Sequence, residues 1–422
     1  MYVPPFYLCL TALLLLPLTT VQAVEGLSLK QAEKIAIQRD AVIKSFRQQA
    51  IAFTEQSKAA NTWPDPKIKI GAQAVPIDSF DLQQEAMTQV IVGYQQMLPR
   101  GDSNELAEQS AQAMSRMQSA RANMREREVL MMLRQAWFEV VLQYQSIEII
   151  QSSKQLFEEM RDISESFYAS GRQQQQDVVQ AQLEISLVED RLEQANSKLL
   201  EARTKLAKWV GDENLPNKID VARVHLQLVD FSNSQSIKIE IENNPEFTVL
   251  SEKIMSQQKQ LKIADEQYAP QWGFDINYGK RSGENPDGSE RSDLFTAMVT
   301  LDLPIFTGNK QDRLVNAEKQ RLQAARYDQI EVKRKLLQRL DEVIARLEKL
   351  KSRHQLYTDK VLPQARQNSE VSLSGYQSGV VSFFTLTRAR IAELNTQLSD
   401  LQITIAYNKA YAELQYLSGE RL

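Results

Sequence analysis

The chain is written twice. Landmarks in its first half return in the second, about 204 to 208 positions later, and a self-similarity of this kind constrains the fold more than any local propensity. Trp63-Pro64 answers to Ala269-Pro270, and Leu98-Pro99-Arg100-Gly101 to Ile305-Phe306-Thr307-Gly308. Phe167-Tyr168-Ala169-Ser170-Gly171 answers to Gly375-Tyr376-Gln377-Ser378-Gly379. The period is too long for a solenoid. It divides the chain into a first repeat over 24–213, a linker over 214–230 and a second repeat over 231–422. Gly211, Asn214 and Pro216 break helical periodicity at the junction, and Val221 to Val229 reads as extended.

Each repeat reads helix, strand, strand, long helix, long helix. The opening helix starts at Ser28-Leu29-Lys30-Gln31, a capping-box pattern, and is expected to run to about Asn61. The long helices are expected near 103–169, 172–209, 309–376 and 380–417. A helix near 65 residues is roughly 100 Å long and needs lateral partners throughout. The seam for them is explicit. Ala181, Ile185, Val188, Leu192, Ala195, Leu199, Ala202, Leu206 and Trp209 alternate four and three apart. In the second repeat Leu336, Leu340, Val343, Leu347, Leu350, His354, Tyr357 and Val361 repeat the pattern with one polar member. That is coiled-coil packing of adjacent helices.

Four short strands are expected at 66–75, 88–98, 271–280 and 294–304. Trp272, Phe274, Ile276 and Tyr278 alternate with Gly273, Asp275, Asn277 and Gly279, and Phe295, Ala297, Val299, Leu301 and Leu303 with Thr296, Met298, Thr300 and Asp302. Strands of about 9 to 11 residues have the length of a tilted membrane-spanning β-strand. Their alternation suits lipid on one face and water on the other, with Trp272, Phe274, Ile276, Tyr278, Phe295, Val299 and Leu301 toward lipid. One such hairpin reads best as a half-buried sheet of a soluble domain. Two hairpins at matching points of a repeat favour the membrane. Four strands cannot close a barrel and lipid forbids open edges, so a membrane-spanning sheet requires several copies: two would supply eight strands and three twelve.

Composition narrows the class. A net charge of -4 over 422 residues leaves no basic excess for nucleic acid. A mean hydropathy of -0.41 excludes a bundle of hydrophobic membrane helices. The apolar run Leu8–Leu18 followed by Thr19-Thr20-Val21-Gln22-Ala23 reads as an export signal over 1–23, which contains the one Cys, Cys9. Nothing suggests an enzyme or a cofactor: no metalloprotease, nucleophile-elbow, P-loop or dinucleotide motif occurs. Of the two histidines, His225 and His354, the second sits on an apolar seam and reads as packed. Met114, Met117, Met124, Met131 and Met132 cluster. Thioethers suit Cu(I), so Met114, Met117 and Met124 are the candidate ligands, but the spacing of seven favours coiled-coil filler.

An export signal, duplicated helix-strand-strand-helix-helix halves and Tyr-x-x-Gly turns together resemble the TolC-type outer-membrane efflux proteins over nearly all of the mature chain. The resemblance implies a fold that is mainly α with a small β part. Three protomers would build a twelve-stranded transmembrane β-barrel, continued by a periplasmic α-helical barrel of antiparallel coiled-coil helices. It implies an outer-membrane location with most of the chain in the periplasm. It also implies a homotrimer that meets outer-membrane lipid, a periplasmic adaptor and an inner-membrane pump of the RND type. Trp63-Pro64-Asp65-Pro66, Val75-Pro76-Ile77-Asp78-Ser79-Phe80, Glu85-Ala86-Met87-Thr88-Gln89 and Tyr94-Gln95-Gln96-Met97-Leu98-Pro99-Arg100-Gly101 are similar to the heavy-metal branch, which pairs with cobalt-zinc-cadmium or copper-silver pumps. Drug efflux or type I secretion is the alternative within the family. A soluble periplasmic coiled-coil scaffold or adaptor is the alternative outside it.

By the same resemblance, the turns Ser170-Gly171-Arg172 and Ser378-Gly379-Val380 would form the periplasmic tip that the adaptor grasps. Asp177 and Tyr376 match a pair that holds the tip closed. A basic partner of that pair is Val381 here, and the positions of an acidic ring fall on Thr385 and Arg388. Pro363 would bend its helix inward.

Overall fold

The structure, a computed structural model, describes residues 27–215 and 243–418. The export signal with Cys9, the segment Val221–Val229 and His225 lie outside the described residues. The chain is mainly helical with one small sheet: α1 (Leu29–Arg39), α2 (Ala41–Ala60), β1 (Lys67–Gln73), β2 (Gln89–Met97), α3 (Ser103–Ala169), α4 (Gln175–Val210), α5 (Pro245–Asp265), β3 (Gln271–Arg281), β4 (Leu294–Asp302), α6 (Gln311–Leu356), α7 (Leu362–Gln377) and α8 (Phe383–Ser418). No helix among the described residues is long and apolar enough to cross a membrane.

The opening segment is not the single helix expected. It divides at Asp40, whose carboxylate accepts the Ile43 N–H at 2.8 Å and pairs with Arg125 at 3.1 Å. A side chain that caps the following helix favours extended backbone at its own position, so the chain restarts there. The capping box at Ser28 is present.

The second repeat copies the first closely. Helices α4 and α8 are both 36 residues long. Helix α3 has 67 residues, and Gln311 to Gln377 covers an equal span, yet it is not the single continuous helix expected. A wide i→i+5 turn over Tyr357–Val361 separates α6 from α7. Pro363 explains its place, because a proline nitrogen cannot bond the carbonyl four residues back, that of Asp359, and its ring crowds that carbonyl.

Helix α3 is the axis of the molecule. Toward the sheet it packs between α2 and α5, with α6 beyond α5. Toward the other end it packs between α4 and α8, with α6 and α7 beyond α8. The helices thus form an open layer with a free helix at each edge. Its seam is apolar: Ala181, Val188, Ala195, Ala202 and Leu206 of α4 are buried, as are Phe157 and Met160 of α3. Leu336, Leu340, Val343 and Leu347 of α6 meet Tyr407, Ala410 and Leu414 of α8.

The sheet has the order β1-β2-β3-β4 and is antiparallel throughout. Its first and last strands are therefore unpaired along one side, the same open arrangement that the helices have. Arg100 ties the repeats together at its base, donating to the Ala269 carbonyl at 3.0 Å and pairing with Asp302.

Phe157 is 1% exposed at the centre of the α3–α4 seam. Truncating it to alanine is expected to cost about 3 to 5 kcal/mol, measurable by denaturant unfolding of the purified protein. A loss under about 1 kcal/mol would show that the seam collapses around the void.

Candidate functional site

Two regions hold most of the residues singled out from the sequence: the sheet and the tip where α3 turns into α4 and α7 into α8.

In the sheet, register sorts the side chains onto two faces. Ile276 stands opposite Tyr94 and Ala297, Tyr278 opposite Val92 and Phe295, Phe274 opposite Gln96 and Val299, and Trp272 opposite Leu301. On the far side Ile68 and Ile70 stand opposite Tyr94 and Val92. One face is thus an almost unbroken apolar band across four strands, and it is exposed: Trp272, Phe274, Ile276, Tyr278, Phe295, Val299 and Leu301 are all at least 40% accessible. The opposite face carries Lys67, Lys69, Gln95, Asp275, Asn277, Thr296 and Thr300, with Gly71, Gly93, Gly273 and Gly279 among them. An exposed apolar surface of this size on an otherwise polar protein marks a surface made to be covered.

At the tip, the two turns are built alike. The Gly171 N–H bonds the Tyr168 carbonyl at 3.0 Å and the Arg172 N–H reaches Phe167 at 2.8 Å. The Gly379 N–H bonds Tyr376 at 3.0 Å and the Val380 N–H reaches Gly375 at 2.9 Å. This pair of bonds ends a helix with a residue in left-handed conformation, and Gly171 and Gly379 have φ of 71° and 78°. Side chains at these positions would meet no neighbour, so the backbone angle alone demands glycine.

Behind the turns, Tyr376 is fully buried and joins four helices. Its hydroxyl donates to Asp177 Oδ2 on α4 at 3.3 Å and lies 3.1 Å from Ser164 Oγ on α3. Its ring lies 5.7 Å from that of Phe167 and 5.4 Å, edge-on, from that of Phe383 on α8. Asp177 and Tyr376 are thus together. Thr385 and Arg388 are exposed on α8, with Thr385 bonding to Ser382. Val381 packs over Gly375, where any Cβ would come within 2.6 Å of its side chain. Ser164 and Phe383 escaped the sequence reading. A serine on the seam of a 67-residue helix carries no signal of its own, whereas the phenylalanine just after a matched turn could have been flagged as a packing partner.

Burial pushes the Asp177 carboxyl above its ordinary range, and the bond from Tyr376 draws it part of the way back. Burial also raises the Tyr376 phenol. A carboxyl whose pKa is raised on folding stabilises the folded tip while protonated, and that contribution is lost as pH rises through the folded value.

Met117 is buried with Ala120 and Val249, with Met114 packed alongside, while Met124 is part-exposed. His354 binds Asp400 Oδ1 through Nδ1 at 3.0 Å and lies 3.4 Å from Thr358 in the wide turn, so it is packed and partnered across the α6–α8 seam. Among the described residues no three His, Cys, Asp or Glu side chains converge as a metal site would require.

A family model described as Outer membrane efflux protein matches residues 237–420, which is most of the second repeat. No curated protein matches by sequence. Solved structures share the fold, three of them as follows. The outer membrane protein VceC from Vibrio cholerae is 18% identical, with a TM-score of 0.76 over 93% of this chain and 96% of its own. The Campylobacter jejuni CmeC outer membrane channel is 13% identical, with a TM-score of 0.75 over 93% and 85%. CusC, whose structures concern transmembrane channel formation, is 14% identical, with a TM-score of 0.72 over 93% and 92%.

Cleavage at the tip turns by a protease active over a broad pH range should increase from about pH 4 to 7 in the wild type, once corrected for the protease's own profile. Asp177→Asn keeps the acceptor oxygen and removes the charge, so its cleavage should not vary with pH. An unchanged pH response in that variant would remove Asp177 as the cause.

Proposed function

We propose that this chain is one of three protomers of a passive outer-membrane exit duct, the reading supported by the family match of its second repeat and by the fold it shares with outer-membrane channels. The observation that carries it is the sheet: one exposed apolar face, one polar face and two unpaired edges. In lipid an unpaired edge is untenable, so β4 of each copy bonds to β1 of the next until the ring closes. Three copies give twelve strands. The helical layer closes in the same sense. Its edges also expose apolar residues, Val179, Leu183 and Leu187 on α4 and Val371 on α7, Ile51 on α2 and Tyr327 on α6. Such residues at both edges are suited to meeting a neighbour.

The closed ring is a β-barrel in the outer membrane and a helical tunnel in the periplasm. The duct performs no chemistry. It supplies a water-filled path, and an inner-membrane pump of the RND type supplies the energy through an adaptor that engages the turns Ser170-Gly171-Arg172 and Ser378-Gly379-Val380. Tyr376, held by Asp177, Ser164, Phe167 and Phe383, locks the hairpin α3–α4 to the hairpin α7–α8 and keeps the tip closed, with Thr385 and Arg388 lining the approach. The cargo we assign is a heavy-metal cation, on the run from Trp63 to Gly101 that is similar to the metal branch.

Replacing Ile276 with arginine places a charge on the lipid face and should cost about 2 to 4 kcal/mol at mid-membrane, read as loss of detergent-resistant trimer from outer-membrane fractions. Recovery of the wild type in the soluble periplasm would overturn the duct reading. Asp177→Ala and Tyr376→Phe should each raise conductance in planar bilayers, and unchanged conductance in both would remove the lock. A deletion strain should become sensitive to one or more of copper, silver, zinc, cobalt and cadmium. Sensitivity to organic drugs alone would replace the metal assignment with drug efflux.

A further inference from the structure

We propose that the barrel section of this duct prefers anions, through Lys67, the unpaired lysine that β1 presents to the pore. The inference rests on the duct reading, which makes the polar face of the sheet the lining of the pore. Five charged side chains from the strands stand on that face: Lys67, Lys69, Asp275, Arg281 and Asp302. The two acids are the ones already engaged. Asp275 accepts a bond from Lys69 and another from Asn277 Nδ2 at 2.5 Å, and its side chain is only 10% exposed against 44% for that lysine. The pore therefore meets the ammonium group rather than the carboxylate. Asp302 pairs with Arg100 from below the sheet.

The bases are less balanced. Arg281 directs its guanidinium to the Ser292 and Ala86 carbonyls at 2.6 and 3.1 Å, which satisfies its donors without cancelling its charge. Lys67 is exposed and has no ion-pair partner among the described residues. It lies on an edge strand, so its neighbour in the ring is β4 of the next copy. The one acid that strand offers to the pore is Asp302, which pairs with its own Arg100; there the carboxylate is the more exposed partner, 57% against 16%, but the pair as a whole is neutral.

Gly93 makes the crossing between Lys69 and Asp275 possible. It stands directly between Lys69 and Asn277 in the register, and a Cβ there would fall 2.0 Å from Asn277 Oδ1. With no side chain on β2 at that point, the lysine reaches over the strand and caps the acid. The polar face thus carries two uncompensated positive charges per copy, Lys67 and Arg281, with the capped acid Asp275 level with Lys67 in the register.

Scale makes these charges effective. Twelve strands about 4.8 Å apart and tilted near 40° enclose a backbone radius of about 12 Å. Side chains reduce it further, to a distance comparable with the Debye length of about 8 Å at physiological salt. Rings of basic side chains at such distances favour anions. The barrel opens to the medium, so an anion preference there opposes the return of free cations, whereas cargo is driven through by the pump.

The test is the reversal potential of the purified trimer in planar bilayers under a potassium chloride gradient. The wild type should pass chloride in preference to potassium. Lys67→Gln should lower the chloride-to-potassium permeability ratio by at least about twofold, and Lys67→Glu further. Lys280→Gln, on the opposite, lipid-side face of β3, should leave the ratio unchanged. Potassium preference in the wild type, no change in both Lys67 variants, or an equal change in the Lys280 variant would each overturn the inference while stepped conductance still upheld the duct. Absence of any conductance would overturn the duct reading and this inference with it.

Discussion

A helix of 67 residues has no stability of its own in water, and the architecture follows from the need to cover it. Helix α3 gains an apolar partner on each side at every level: α2 and α5 near the sheet, α4 and α8 toward the tip. The partners are held by residues three and four apart, so the crossing is shallow and the helices run side by side for most of their length. Within one chain this layer ends on open edges. Its outermost helices keep exposed leucines, valines and a tyrosine, just as the outermost strands keep unpaired backbone. The completion by other copies proposed above would answer the same physical problem at two scales, apolar side chains in one case and peptide groups in the other.

Tyr376 is the point at which this layer is locked crosswise. Seam contacts act between neighbouring helices, whereas this one side chain touches α3, α4 and α8 while anchored in α7. Its bond to Asp177 places a carboxyl in partial burial, an arrangement that costs stability when the acid is charged. Burial and the hydrogen bond oppose one another there: burial disfavours the charged carboxyl, whereas the bond from Tyr376 favours it.

Much of this was legible in the chain. The heptad run from Ala181 to Trp209 identified the buried face of α4, because a shallow crossing leaves the same helix face covered over many turns. The alternation from Trp272 to Tyr278 identified the exposed face of β3, because a strand has only two faces. The twin glycines at 171 and 379 announced matching turns. Two features were not legible. The break at Asp40 arises from a carboxylate that prefers to cap α2 and to pair with Arg125, which is 85 residues away. The wide turn at Tyr357–Val361 arises from Pro363, but proline alone does not tell a kink from an extra residue in the turn.

The sequence by itself determined the repeated order of helices and strands, the seam faces of α4 and α6, the two faces of β3 and β4, and the paired glycine turns, since periodicity and glycine act over a few residues. Only the tertiary structure decided which side chains meet across those elements. Ser164, Phe167, Asp177, Tyr376 and Phe383 come from four helices, and Lys69 reaches Asp275 across a strand that merely lacks a side chain at Gly93. Those meetings depend on register between distant segments, and register is set by the packing of whole faces rather than by any residue within them.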